Sequence, residues 1–210
     1  MDATQAFIKT FPTTRFEKGA TILLKNETPE VVFGIKSGFV KGYDIDAAGA
    51  EQLVWLGAKG DFFPVVWAFS LSQNVQYFFS AFSDVVLYKI NRQAFLDFLH
   101  SNHSALFEVT KRLAARLADA SRHLNAAEKT KAEDKIIHTL YFLSLRFGHI
   151  NGDANEREVT LPITHQDIGN LLGLTRETIT TGLKRLKDAG QIDYDKNRFV
   201  IYQDKLEALL

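Results

Sequence analysis

Residues 161–193 read LPITHQDIGNLLGLTRETITTGLKRLKDAGQID, and this stretch decides the fold of the C-terminal part of the chain. Thr164 and Asp167 have the spacing of a helix-capping pair, because a hydroxyl can accept hydrogen bonds from free backbone N–H groups and an acid favours the first turn. Gly173 can adopt the left-handed conformation that ends this helix, and Thr175 can cap a second one. Two short helices about a glycine turn indicate a helix-turn-helix.

Two segments of alternating polarity follow the second helix, over 191–194 and 198–202. Residues 195–197 between them are turn formers, so the pair predicts a two-stranded wing. Upstream, apolar residues at helical spacing from 136 to 145 predict a further helix that ends near Gly148. We therefore predict a winged helix-turn-helix domain over 128–210.

The side of the second helix that faces away from its apolar residues is rich in groups that can read DNA. Arginine can grip guanine with two hydrogen bonds, glutamate can accept one from cytosine, and threonine hydroxyls suit phosphates or thymine. An Arg-Glu pair at a helix start could equally be a solvated surface pair, but the capped frame around it favours DNA binding. The predicted DNA-binding residues are Arg176, Glu177, Thr180, Thr181, Lys184, Thr164, Gln166, Thr175 and Thr178.

The N-terminal part is built from short runs rich in β-branched and aromatic residues, separated by turn residues. Strands at roughly ten-residue spacing indicate an antiparallel roll or barrel. These runs lie at 21–24, 31–35, 39–43, 52–56, 77–82 and 85–90. The chain is thus predicted to be α+β, with a β-roll effector domain over 1–103.

A change of period after residue 91 predicts helices, including a long one over 104–127. An apolar stripe recurs along it at steps of three or four residues. Its members are Leu106, Val109, Leu113, Leu117, Ala120 and Leu124. The helix could pack on its own domain, but a long helix with a narrow stripe between two domains more often pairs with its own copy. We predict dimerisation through 104–127, and the polar segment 126–134 is the best domain boundary.

The composition excludes several classes of function. Among 210 residues, Lys+Arg and Asp+Glu both number 25, so any nucleic-acid binding must come from a local patch rather than from a polycationic chain. The chain has no cysteine, which excludes disulfides, thiolate metal sites and cysteine nucleophiles. No apolar run approaches the roughly 18 residues of a membrane span, and a cytoplasmic protein is expected.

Signals of catalysis or metal binding are weak. His100 and His103 could place two imidazoles on one helical face, but no third ligand is evident nearby, so no metal site is predicted. His165 could bind phosphate, although its place at a helix start favours a solvated residue. The sequence holds no phosphate-binding glycine loop and no nucleophile elbow, so neither an enzyme nor a cofactor is predicted.

The sequence resembles the CRP/FNR family of bacterial transcription regulators. The segments that sit at the family's positions and spacing are THQDIG at 164–169, GLTRET at 173–178 and LKRL at 183–186, with looser matches to its β-roll at 16–24, 35–38 and 60–62. The resemblance implies a homodimer joined by the long helix, with each recognition helix in a major groove of a palindromic, double-stranded operator. It also implies RNA polymerase as a partner.

Two departures from the family affect its usual specificity and effector. The family commonly has arginine where this chain has Thr181, so its usual half-site is not implied. Pro64-Val65 and Val75-Gln76 stand where cyclic-nucleotide binders carry Gly-Glu and Arg-Ser or Arg-Thr. We therefore predict control by an effector other than a cyclic nucleotide, or constitutive DNA binding by a chain whose roll has lost its ligand.

The residues between Lys59 and Lys89 also argue against a phosphate-bearing effector. They include no Lys, Arg or His, whereas burying a phosphate needs a cation and free N–H groups. Their aromatic rings could fill the core, or could bound a pocket for a small, uncharged, partly apolar ligand. The candidate pocket residues are Trp55, Phe62, Trp67 and Phe78. A third possibility is a small-molecule sensor that acts through protein contacts, with a vestigial helix-turn-helix, although the intact recognition helix argues against it.

Overall fold

The computed structural model describes residues 3–150, 152–195 and 198–210. The chain divides into two compact units, Met1–Ala115 and Arg116–Leu210. None of the described helices combines the length and the apolar character that crossing a membrane would require.

The first unit is an antiparallel β structure with short helices at its ends. Its strands are β1 (Thr13–Phe16), β2 (Thr21–Leu23), β3 (Val31–Ser37), β4 (Val40–Ile45), β5 (Glu51–Gly57), β6 (Phe62–Phe63), β7 (Phe78–Ala81) and β8 (Val85–Asn91). Its helices are α1 (Ala3–Ile8), α2 (Val65–Ala68), α3 (Arg92–Ser101) and the beginning of α4 (His103–Glu128).

The strands form two four-stranded sheets, ordered β1-β8-β3-β6 and β2-β7-β4-β5, and every pairing is antiparallel. All six predicted strands are present. β1 and β6 were not predicted, because β1 has no continuous apolar run and β6 is only two residues long. These strands take their structure from their partners β8 and β3 rather than from a local pattern.

The aromatic side chains of the first unit are divided between two buried clusters. Phe62 and Trp67 belong to one cluster, whereas the adjacent Phe63 belongs to the other, with Trp55 packed against it. This division follows from strand geometry, since successive side chains point to opposite faces. Phe78 stacks on Tyr43 with ring centroids 5.4 Å apart. The four rings predicted to bound one pocket therefore do not gather around one site, and most of them fill the core.

The predicted apolar stripe of α4 is divided between two surroundings. Val109 is 3% exposed within the cluster of Phe62 and Trp67, and Leu113 packs against the same cluster. Val109 is therefore not available to a second copy, because one side of α4 covers its own roll. The members of the stripe that remain exposed are Leu106, Leu117, Ala120 and Leu124.

The second unit combines helices with a small sheet. After the C-terminal half of α4, its elements are α5 (Ala132–Phe147), β9 (Gly148–Ile150), β10 (Glu156–Val159), α6 (His165–Leu172), α7 (Arg176–Asp188), β11 (Ile192–Asp195), β12 (Arg198–Tyr202) and α8 (Gln203–Glu207). The predicted helix from 136 is α5, which begins four residues earlier and ends at Phe147, next to the predicted end near Gly148. The best boundary predicted, 126–134, contains the end of α4 and the start of α5, whereas the two compact units divide within α4.

The predicted two-stranded wing is part of a four-stranded sheet, ordered β11-β12-β10-β9. β12 pairs with β11 on one edge and with β10 on the other, so Phe199 lies opposite both Tyr194 and Val159. The turn residues Lys196 and Asn197 lie outside the described residues. The sequence predicts a short strand at 158–161, which overlaps β10, whereas β9 was not predicted, because it is only three residues long and pairs with β10 alone.

α5 and α7 approach each other closely within the second unit. A Cβ atom on Gly182 of α7 would lie 2.4 Å from Cδ1 of Ile136 on α5. Ile136, Leu183 and Ile168 are each at most 1% exposed, so the three helices share one core. Since Gly182 is the residue that lets α7 rest on α5, this packing sets which side of α7 faces outward.

Candidate nucleic-acid interface

A reciprocal capping box starts α6. The backbone N–H of Asp167 donates to Oγ1 of Thr164 at 3.2 Å, and the backbone N–H of Thr164 donates to Oδ2 of Asp167 at 2.8 Å. Both groups would otherwise be free donors at a helix end. The capping pair predicted from the sequence is confirmed.

The turn between α6 and α7 is also the predicted one. Gly173 has φ +65° and ends α6 in the left-handed conformation, which an L side chain rarely adopts. Oγ1 of Thr175 then accepts from the backbone N–H of Thr178 at 3.2 Å and begins α7. The orientation of α7 against α6 is thus determined by interactions within a few residues of the turn.

α7 has a buried face and an exposed face. Ile179, Gly182, Leu183 and Leu186 are buried. The predicted DNA-binding residues that lie exposed along α7 are Arg176, Glu177, Thr180, Thr181 and Lys184. The structure therefore brings all five to one solvent-facing surface, which we call the outer face of α7.

The remaining predicted contact residues lie at the ends of α6 and α7. Thr164 and Thr175 are helix caps, and Thr178 bonds to the Thr175 hydroxyl with the two oxygens 3.0 Å apart. Gln166 is exposed on α6, where its Nε2 donates to Oδ1 of Asn170 at 2.7 Å. Contact of these four residues with DNA stays a prediction. The three threonines also have a structural role, because their hydrogen bonds form the helix caps.

Several cations near the outer face are engaged with carboxylates. Nζ of Lys187 lies 2.6 Å from Oδ1 of Asp193, and this hydrogen bond is the main cause that raises the pKa of Lys187. Arg198 makes a two-point contact with Glu158, at 2.6 and 2.7 Å. These two cations stabilise the wing sheet, while the exposed Arg176 and Lys184 face solvent.

Two residues beside the outer face were not identified as part of it from the sequence. His165, expected to be solvated, places Nδ1 2.9 Å from Oγ1 of Thr180 and is only half-exposed. Burial, followed by the charge of Arg176, lowers the pKa of His165. Glu133 of α5 lies 3.9 Å from Arg185. Each contact joins α7 to a different helix, so the sequence could not reveal it. The helical spacing showed only that Thr180 lies on the outer face of α7.

Among the residues that the structure describes, no group of three His, Asp or Glu side chains could hold a metal ion. His100 lies in α3 and His103 begins α4, and both are exposed.

Two family models match the chain. Residues 13–102 match the cyclic nucleotide-binding domain, and residues 134–209 match the Crp-like helix-turn-helix domain. Among curated proteins, the chain is 31% identical over 198 residues to Electron transport regulator A of Shewanella oneidensis, covering 92% of this chain and 76% of that protein. It is 27% identical over 192 residues to the nitrogen fixation regulation protein FixK of Azorhizobium caulinodans, covering 90% and 75%.

Solved structures of similar fold cover nearly the whole chain. FixK2 from Bradyrhizobium japonicum aligns with a TM-score of 0.79 at 20% identity, covering 95% of this chain and 96% of that one. A cyclic nucleotide-binding domain containing protein from Listeria monocytogenes aligns with a TM-score of 0.81 at 17% identity, covering 97% of each chain. These likenesses confirm the predicted α+β fold class, a β-roll domain followed by a helix-turn-helix domain.

Proposed function

Because the chain belongs to the CRP/FNR family of transcription regulators, which bind DNA through a helix-turn-helix and are not enzymes, we propose that it acts as a homodimer on a palindromic operator. Each copy inserts the outer face of α7 into a major groove, and the two half-sites lie about one helical turn apart. Contact with RNA polymerase and a place in the cytoplasm, where bacterial DNA lies, are part of the same proposal.

The observation that carries this proposal is the outer face of α7 itself. Arg176 and Glu177 stand in the first turn of an exposed helix whose start is fixed by the Thr175 cap. In this position the guanidinium can bond O6 and N7 of guanine, and the carboxylate can accept from N4 of cytosine. Lys184 lies two turns further along and suits a phosphate.

Dimerisation is supported by the apolar residues that α4 leaves exposed. Leu117 and Leu124 are 70% and 60% exposed and are spaced by seven residues, so they lie on one line of the helix. Leu106, which is 41% exposed, is a further exposed leucine of the predicted stripe. Exposing leucines in this way is unfavourable, and pairing with the same line of a second copy would bury them.

Control by a molecule other than a cyclic nucleotide is supported by the charge distribution of the roll. The segment between Lys59 and Lys89 has no cation of its own to offset a buried phosphate. Arg112 of α4 does approach the roll, since a Cβ on Gly60 would lie 2.5 Å from its Nη1. This approach is at Gly60, whereas cyclic-nucleotide binders carry their arginine at the positions of Val75 and Gln76.

A constitutive DNA binder is the second candidate, and the packing of the roll favours it. Phe62 and Trp67 are 6% and 8% exposed in one cluster, while Trp55 packs against the other. Because these rings pack against other side chains of the roll, they leave little apolar surface for a ligand to contact. In this alternative, the roll has kept its structural role and lost its ligand.

One experiment tests both candidates. The purified protein, without added small molecules, is mixed with duplexes that carry two randomised half-sites, and bound duplexes are selected and sequenced at several salt concentrations. Enrichment of a palindromic motif supports sequence-specific binding through base contacts. A logarithm of the binding constant that falls linearly with the logarithm of the salt concentration supports phosphate contacts. Tight selection without an added effector favours the constitutive candidate. If no motif is enriched with or without cell-extract small molecules, operator recognition is wrong.

A further inference from the structure

His165 and Thr180 join the two helices of the helix-turn-helix through a side-chain hydrogen bond. His165 is the first residue of α6, and Thr180 lies on the outer face of α7. Nδ1 of the imidazole is 2.9 Å from Oγ1 of the threonine. The same Oγ1 donates to the backbone carbonyl of Arg176, one turn earlier in α7, at 2.8 Å.

Counting protons assigns a direction to this bond. A threonine hydroxyl has one hydrogen to donate and two lone pairs that accept. The Arg176 carbonyl can only accept, so both contacts are hydrogen bonds at the same time only if Thr180 directs its hydrogen to that carbonyl and accepts from Nδ1 of His165. In this arrangement the imidazole carries its proton on Nδ1, and Thr180 has one lone pair that faces solvent and no hydrogen to offer.

The imidazole ring is held in place from the side of the wing. Its centroid lies 5.5 Å from that of Tyr194, edge to face at 76°. Tyr194 stacks in turn on Phe199 at 5.7 Å, and Phe199 is 1% exposed. The ring that contacts the hydroxyl thus packs against the wing sheet, which limits the rotation of both side chains.

We propose that His165 is a positioning residue for base recognition, which makes the Thr180 hydroxyl a pure hydrogen-bond acceptor toward the major groove. This inference rests on the proposed function, in which the outer face of α7 reads bases. In the major groove only adenine N6 and cytosine N4 are donors. Thr180 then selects adenine or cytosine as the contacted base at one position of each half-site. It disfavours guanine and thymine there, because their major-groove edges present only hydrogen-bond acceptors.

The test is selection from duplexes with randomised palindromic half-sites, performed with the full chain, four single variants and the double variant of His165→Phe with Thr180→Val. His165→Phe and Thr180→Val each remove one partner of the bond. His165→Asn places an amide N–H at the position of Nδ1, and Thr180→Ser keeps the hydroxyl. Thermal unfolding of each variant reports whether it is folded.

We expect wild type to enrich adenine or cytosine at one half-site position by about threefold to tenfold, the range of one net hydrogen bond. His165→Phe and Thr180→Val lose this preference at the same position, and the double variant loses no more than Thr180→Val alone. His165→Asn and Thr180→Ser retain it. A role in folding or in phosphate contact would instead lower affinity equally for all sequences.

Base preference that survives in folded His165→Phe overturns the inference while leaving the proposed function intact. If His165→Phe does not fold, Thr180→Val and His165→Asn decide, because unchanged preference in the first or lost preference in the second also overturns it. A wild-type chain that enriches no motif overturns the proposed function and this inference with it.

Discussion

Oε2 of Glu133, at the start of α5, lies 3.9 Å from Nη1 of Arg185 on α7, so an acidic side chain stands beside the helix that is proposed to enter DNA. Both side chains are largely exposed, 48% for the glutamate and 68% for the arginine, and the pair is therefore weak. Its consequence is electrostatic, because the carboxylate offsets a cation that could otherwise neutralise a phosphate.

Glu133→Gln is expected to strengthen DNA binding for all sequences by about twofold to fivefold at low salt, the range of an exposed ion pair. The slope of log affinity against log salt should become steeper by up to about 0.9, which is the change expected for one additional phosphate contact. Fluorescence anisotropy with a selected and an unrelated duplex measures both. Glu30→Gln, an exposed glutamate of the first unit, is the control for the change in net charge. Equal affinities for Glu133→Gln and wild type would show that Arg185 does not contact phosphate.

Arg176→Ala and Glu177→Ala are each expected to relax base preference at one half-site position, by about 1–3 kcal/mol of discrimination. Lys184→Ala is the matched comparison on the same helix. It should weaken binding equally across sequences and flatten the salt slope by about 0.9. Selection followed by salt titration separates the two effects. A uniform affinity loss in Arg176→Ala would remove that residue from base reading.

Leu117→Glu is expected to convert the proposed dimer to a monomer with little operator affinity. The glutamate would be buried against a second copy without a partner, which costs about 3 kcal/mol or more. Leu117 is a better site for this test than Leu113, because Leu113 packs against its own roll and its loss would also destabilise the monomer. Light scattering at micromolar concentration measures the mass. Ala115→Glu, exposed and on the opposite side of α4, should remain dimeric.

Neither cyclic AMP nor cyclic GMP is expected to bind at physiological concentrations, because the roll lacks a cation in the segment between Lys59 and Lys89. Isothermal titration calorimetry with both nucleotides measures this directly. A micromolar dissociation constant for either would contradict the prediction. Repeating the titration with Arg112→Ala would then show whether the cation at Gly60 supplies the missing charge.

The second unit is expected to lose stability on mild acidification. Burial lowers the pKa of His123, and burial is also the main cause that lowers the pKa of His138 and His165. Unfolded histidines titrate at about 6.5, so the unfolded chain binds more protons below that pH. The stability contributed by these histidines is fully present above about pH 6.5. It is lost as the pH falls from there through their lower pKa values in the folded unit.

Thermal unfolding at about pH 7.5 and pH 5.5 measures this loss as a drop in the midpoint. Nδ1 of His123 is buried and lacks a hydrogen-bond partner among the described residues, so His123→Phe should reduce the drop. His100→Phe, which removes an exposed imidazole from the first unit, should leave the drop unchanged. A midpoint that stays the same at the lower pH would contradict the expectation that folding lowers the pKa of these histidines.

The helix-turn-helix could be derived from the sequence because the interactions that define it are local. Thr164 caps through Asp167, Gly173 ends α6 by its own backbone conformation, and Thr175 caps through Thr178. Each of these acts within three residues, so a linear pattern contains the partners as well as the positions. The helical period then determined which residues of α7 face outward, and the structure agrees residue by residue.

The tertiary structure alone decided which groups from distant segments meet. The sequence by itself determined the fold class, the capped helices and the exposed face of α7. It could not show that Val109 is covered by its own roll, that Phe62 and Trp55 pack in different cores, or that His165 bonds to Thr180. Such contacts depend on how strands pair and helices pack. An amphipathic pattern predicts that a face is buried, but it does not predict which residues cover that face.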